Sequence, residues 1–159
     1  MAIYNTGRYL DKSIGSILNQ TIGYKEIQII LINDGSTDNS EEICLKYQKL
    51  YSNNVIYLKT ENNGVSKARN LGMELIKGEF INFLDPDDYW DTKAFEYVLS
   101  FFRKNEEINF VSGRLKFFEA RNDFHPLDYK FYKTRIVNLT EEYTLDLFIN
   151  NPILKKRIK

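Results

Sequence analysis

Asp85, Asp87, Asp88 and Asp91 place four carboxylates within seven positions, directly after the largely apolar run "EFINFL" at 79–84. Carboxylates this close repel one another, so such a cluster persists when a cation sits in it or when solvent dilutes it. Asp85 and Asp87 flank Pro86, whose ring has no N–H to donate and helps end the preceding strand. Hard oxygen ligands in that arrangement suit Mg2+ or Mn2+, with water or phosphate oxygens completing six-fold coordination. Three other polar groups follow apolar runs in the same way. They are Tyr4-Asn5, Asn33-Asp34-Gly35-Ser36 and Asn62-Asn63-Gly64.

The elements that must hold these groups alternate. "AIY" reads as the end of a strand. Leu10, Ile14, Ile17 and Leu18 then fall at helical spacing within 5–21. "EIQIILIND" at 26–34 is a continuous apolar run rich in isoleucine, as expected of a strand covered on both faces. "GSTDNS" supplies turn and cap residues, with Glu41 and Glu42 in the first turn of a second helix. A strand follows at 54–60. A third helix carries Val65, Ala68, Leu71, Leu75 and Ile76 towards a terminating Gly78. After the strand at 79–84, Thr92 is the expected cap of a helix running to about Lys104. Strands alternating with helices predict βαβ units and a mainly parallel sheet. Beyond 105 the rhythm changes. Segments 108–120 and 133–139 read as strands, 121–132 as an aromatic loop and 140–151 as a helix, and the basic tail 154–159 as a frayed end or the start of a helix.

The chain has 159 residues, the size of one domain, and is 43% hydrophobic, so it can bury a core. Its 22 basic and 22 acidic residues cancel, which argues against a dominant electrostatic attraction to nucleic acid or anionic membrane. The single cysteine, Cys44, excludes an internal disulfide framework and a multi-thiolate metal site. No run approaches the roughly 20 apolar residues of a membrane span, and no basic-then-apolar signal-peptide pattern opens the chain. A cytoplasmic setting is expected, with peripheral association at the inner membrane face open to regions outside this chain.

In open α/β sheets, ligands bind at the carboxyl ends of the strands. All four polar groups lie there and point to one cleft. Their order, "AIYN", "ILINDGSTDNS", "NNGVSKARNLG" and "INFLDPDD", resembles the N-terminal part of family-2 glycosyltransferases with the GT-A fold, over residues 1 to about 100. The last matches that family's Asp-x-Asp motif. The resemblance implies a metal-dependent transfer of a sugar, with inversion, from a nucleoside diphosphate to a saccharide, lipid or protein acceptor, with UDP the expected nucleotide and a bacterial surface polymer the expected product. It implies Asp87 as the direct ligand of Mn2+ or Mg2+, and Asp85 close by, near sugar or ribose. Asp34 would accept a hydrogen bond from the base, Tyr4 would bracket the base, and Ala2 would leave it room. Arg69 would reach base or diphosphate, while Asn5, Asn63, Gly64 and Pro86 would line the nucleotide-sugar site. The chain is then expected to be one GT-A-like domain incomplete at both ends, with 1–105 the nucleotide-sugar half and 106–159 the start of the acceptor half. The general base is expected beyond Lys159.

Blander readings compete at several positions. Asp34 suits an ordinary turn in Asn-Asp-Gly-Ser, Tyr4 a core aromatic at a sheet end, Arg69 a solvated helix position and Asp88 a turn or cap. Cys44 reads as a buried structural thiol, Trp90 as core packing or a sugar platform, and His125 as structural or exposed. Two other functions remain in play: a nucleotide-sugar-binding module without turnover, and a nucleotidyltransferase. The latter would normally show a Gly-rich basic loop after its first strand, which "YNTGRYLDKS" lacks. No G-x-G-x-x-G follows that strand either, which disfavours a dinucleotide-dependent dehydrogenase.

Overall fold

The computed structural model describes residues 1–111 and 153–155. Its organising element is the apolar run expected as a buried strand. β2 (Ile29–Asp34) pairs in parallel with β1 (Ala2–Ile3) on one side and β3 (Val55–Thr60) on the other. Alternation along a strand sends neighbouring side chains to opposite faces. Ile29 and Leu31 join a buried cluster with Leu10, Ile14 and Ile17 of α1 (Gly7–Leu18) and Ile43 and Cys44 of α2 (Ser40–Leu50). Ile30 and Ile32 face the other way, towards Gly72 of α3 (Val65–Glu74). Helices therefore cover both faces, and the expected α/β architecture is what forms.

The second half is built differently. β4 (Phe80–Asn82) and β5 (Phe110–Val111) each pair antiparallel with β6 (Ile153–Lys155), giving the order β4-β6-β5. The tail expected to fray or turn helical is thus a strand at 153–155. α4 (Ala94–Lys104) packs Phe102 against Phe80, ring centroids 5.0 Å apart, with Ile108 beside them. The segments at 121–132, 133–139 and 140–151, and His125 among them, lie outside the described residues.

Two helix boundaries differ from expectation, each for a visible reason. Thr92 does not cap α4. The Asp91 carboxylate accepts the Lys93 N–H at 3.0 Å and the Asp91 carbonyl accepts Ala94 N–H, while Thr92 gives its carbonyl to Thr21 N–H. α3 ends before Gly78. The Gln28 side chain donates to the Leu75 carbonyl at 2.9 Å and accepts Lys77 N–H at 2.9 Å, taking over the polar groups a terminal glycine turn would have satisfied. Trp90 proves to be packing: its ring meets Phe95 edge-on at 5.7 Å and its indole N–H donates to Asn82.

Candidate functional site

Parallel pairing brings the carboxyl ends of β1, β2 and β3 together, and side chains bolt their loops to one another. Asn5 adopts a left-handed backbone, φ 51°, and its side-chain oxygen accepts Thr37 N–H at 2.8 Å. The N–H groups of Asn5, Thr6 and Gly7 donate in turn to Ser36 Oγ, Ser40 Oγ and Asp38 Oδ2. Below them the buried Asn33 accepts Ser36 N–H at 2.9 Å and donates to the Tyr57 hydroxyl. Three consecutive N–H groups after β1 thereby find partners in the loop after β2 and at the head of α2. Asn5, expected to line the site, ties its loops together. Tyr4, next to it, is half exposed with its ring free of the core.

Asp34 is buried at the end of β2. Its Oδ1 accepts Asn63 N–H at 2.8 Å and lies 3.3 Å from the Thr60 hydroxyl, and its Oδ2 accepts Gly64 N–H at 2.8 Å. Asn63 and Gly64 head α3, where unsatisfied N–H groups carry partial positive charge and favour an anion. A carboxylate has about four acceptor positions. Three are engaged here, which leaves room for one donor from a ligand.

Arg69, on the second turn of α3, reaches across to β4. Its Nη2 donates to Asp85 Oδ1 at 2.6 Å, with both side chains more than a third exposed. A pair so exposed to water contributes at most about 1 kcal/mol. Pro86 is buried, Asp88 N–H closes a turn onto the Asp85 carbonyl at 3.0 Å, and Asp87 is exposed with no hydrogen-bond or ion-pair partner among the described residues. The four neighbouring acids are therefore not one knot. Asp85 is paired with Arg69, Asp91 accepts the Lys93 N–H just ahead of α4, and Asp87 is exposed. Ala2, in β1 opposite Ile32, is partly buried.

No group of three or more potential ligands is positioned to hold a metal among the described residues. The donors present, Asp87 and Asp85, fit a hard divalent cation that arrives with most of its oxygen ligands. An apolar cleft of about 890 Å3 lies elsewhere, between Ile30, Ile32 and Gly72 on one side and Phe80 and Phe95 on the other. It touches Arg69 but none of Tyr4, Asp34, Asp85 or Asp87.

The glycosyl transferase family 2 model matches residues 1–157. The chain belongs to that family. It is 48% identical to the minor teichoic acid biosynthesis protein GgaB of Bacillus subtilis over 143 residues, which is 89% of this chain and 16% of that protein. It is 41% identical to GgaA of the same organism, over 89% of this chain and 32% of that protein. The chain thus spans a third or less of the length of these two relatives. Among solved structures, S. aureus TarS 1–349 in complex with UDP superposes with a TM-score of 0.62 at 26% identity, covering 71% of this chain and 35% of that one. A mannosyltransferase from Pyrobaculum calidifontis, in complex with GDP-Man and Mn2+, superposes with a TM-score of 0.65 at 17% identity, covering 72% and 34%. At that identity the likeness speaks for the fold alone. The GT-A-like sheet expected from sequence is the fold these structures share with the chain.

Sequence reasoning assigned Asp34, Arg69 and Asp85 to ligand and missed that each already has a protein partner. It also missed the strap of Asn5, Ser36, Asp38 and Ser40. The Ser-Thr-Asp-Asn-Ser run signalled a turn, and its partners on the loop after β1 carry no local signal.

Proposed function

We propose that this chain is the donor-binding part of a glycosyltransferase that moves a sugar, with inversion, from a nucleoside diphosphate to an acceptor in bacterial surface-polymer synthesis. UDP is the proposed nucleotide. The observation that carries the reading is that Asp34, at the end of β2, holds Asn63 and Gly64 at the head of α3, while Arg69 of the same helix bonds Asp85 in the loop after β4. The GgaB and GgaA likenesses, both named for teichoic acid biosynthesis, support the polymer class. The UDP complex of TarS supports the nucleotide.

Each residue has a task in this reading. The half-exposed Tyr4 offers a flat face to the base. Asp34 has one acceptor position left for a base N–H, and its other bonds fix the loop that passes beside the nucleotide. Arg69 presents a planar fork suited to phosphate oxygens. Asp87, exposed and unpaired, holds a divalent cation, with Asp85 as its second carboxylate. Held there, a divalent cation would supply positive charge that stabilises the leaving diphosphate. Residues 1–105 form the donor half in this reading, and no described residue is nominated as the base that takes the acceptor's proton. Among the described residues no helix is long and apolar enough to cross a membrane. We place the reaction in the cytoplasm, at the inner face of the membrane.

The test is calorimetric titration with UDP, GDP, CDP and ATP, each with and without Mn2+. UDP should bind most tightly, and more tightly with metal. Preference for ATP, or no diphosphate binding at all, would sink the reading.

A further inference from the structure

We propose that Arg69 is a resident counterion that keeps Asp85 from binding a divalent cation alone, and that it releases Asp85 only when a diphosphate arrives to take its place. This rests on the reading of the site as one for a nucleoside diphosphate and a metal.

The geometry sets up the exchange. Arg69 Nη2 and Asp85 Oδ1 are 2.6 Å apart, so a cation approaching that oxygen meets a guanidinium already in contact. Arg69 offsets the charge of the carboxylate it contacts, so a bare divalent ion meets less negative charge than the two aspartates alone would offer. Such ions also give up their waters reluctantly and want six oxygens. Bare cation binding should therefore be weak. The pair is half exposed and so cheap to part. A diphosphate changes the balance in two ways. Its oxygens offer Arg69 a better anion in the fork geometry that guanidinium prefers, and they add ligands to the cation. Arg69 turns from carboxylate to phosphate while Asp85 turns from guanidinium to metal, so each exchanges one opposite charge for another. Arg69 is in this sense a positioning residue for the metal as well as a contact for the nucleotide. Binding of cation and diphosphate becomes coupled, and the coupling is reciprocal.

The test measures Mn2+ alone, by the electron paramagnetic resonance signal of free Mn2+, on the unaltered chain, Arg69→Gln, Arg69→Lys, Asp85→Asn and the double variant Arg69→Gln/Asp85→Asn. Arg69→Gln should bind bare Mn2+ more tightly by about fivefold or more, the low end of ordinary inter-site coupling. Arg69→Lys, which keeps the charge, should stay near the unaltered chain. The gain should vanish in the Asp85→Asn background, since no carboxylate remains to be freed. A structural role for Arg69 would weaken metal binding or leave it alone. Arg69→Gln affinity within about twofold of the original overturns the exchange, as does a gain that survives in Asp85→Asn. UDP titration of the unaltered chain with and without Mn2+ separates the two levels. If Mn2+ does not tighten UDP there, the reading of the site fails and takes this proposal with it. If Mn2+ does tighten UDP but Arg69→Gln leaves bare Mn2+ binding unchanged, only the exchange fails.

Discussion

Asp34 Oδ2 accepts the Gly64 N–H at 2.8 Å, so the last residue of β2 caps the helix that carries Arg69. Asp34 thus acts on the site in two ways: through its one remaining acceptor position, and through the placement of α3. Asp34→Ala removes the charged acceptor of the Asn63 and Gly64 N–H groups, and a hydrogen bond to a charged group is worth about 1.5–3 kcal/mol. We expect Asp34→Ala to lose stability of that order in urea denaturation. UDP affinity should fall by a similar amount in calorimetry, with the preference for UDP over CDP reduced. Unchanged UDP affinity in a folded Asp34→Ala variant would remove Asp34 from the site.

Asp87 provides the contrasting case. Its carboxylate is exposed and has no hydrogen-bond or ion-pair partner among the described residues. Asp87→Asn should leave stability within about 0.5 kcal/mol of the original, the range usual for surface changes. It should nonetheless abolish the Mn2+ enhancement of UDP binding. Full metal enhancement in Asp87→Asn would show that the cation sits elsewhere.

These two aspartates also show how far the sequence could be read. The βαβ alternation, β2 as the buried strand and the gathering of polar residues at strand ends were legible because each is a local pattern of period or punctuation. Partners 16 to 35 positions apart were not. Nothing near Asp85 announces Arg69, and nothing near Asn5 announces Thr37. The end of α3 went astray for the same reason, and the head of α4 through competition between adjacent polar residues. Gly78 and Thr92 were plausible local signals, but Gln28, just ahead of β2 and distant in sequence, closes α3, and Asp91 outcompetes its neighbour Thr92 at the head of α4. The tail at 153–155 looked like a loose basic end because a strand of three residues in sheet order β4-β6-β5 is specified by its neighbours, not by its own composition.

Asp11 gives a prediction in pH. Its carboxyl is held below the usual range by the Lys46 ammonium at 2.6 Å and then by the Tyr47 hydroxyl at 2.9 Å, which join α1 to α2. Burial, reinforced by Asp11, pushes the Tyr47 hydroxyl up to about 12, so it remains a donor throughout the acid range. A carboxyl depressed on folding contributes stability above its unfolded pKa of about 3.9, and that contribution is lost as pH falls through the folded value. Asp11 is largely exposed, so the contribution is at most about 1 kcal/mol. Asp11→Asn should therefore be slightly less stable than the original at pH 7. The gap should stay constant down to about pH 4 and close below it. A gap that widened on acidification in parallel urea curves would contradict this assignment.

Gly35 and Gly64 separate backbone strain from crowding. Both have positive φ, 77° and 90°, a region that L-residues enter at a cost. Gly64 combines that φ with ψ 155°, a conformation used almost only by glycine, and a side chain added there meets nothing within 4 Å. Gly64→Ala should therefore cost only the backbone strain, about 1–3 kcal/mol. At Gly35 an added Cβ would sit 2.8 Å from the Asn62 backbone nitrogen, so the loops after β2 and β3 would be forced apart as well. Those loops carry Asp34 and its two N–H donors. Gly35→Ala should thus lose more stability than Gly64→Ala, and should weaken UDP binding beyond what its stability loss explains. Asparagine, which tolerates a left-handed backbone better than alanine, should not rescue position 35, because its Cβ meets the same nitrogen. Urea denaturation of Gly35→Ala, Gly35→Asn and Gly64→Ala ranks the three. Gly35→Asn as stable as the original would mean that the two loops part easily and that their close approach does not shape the site.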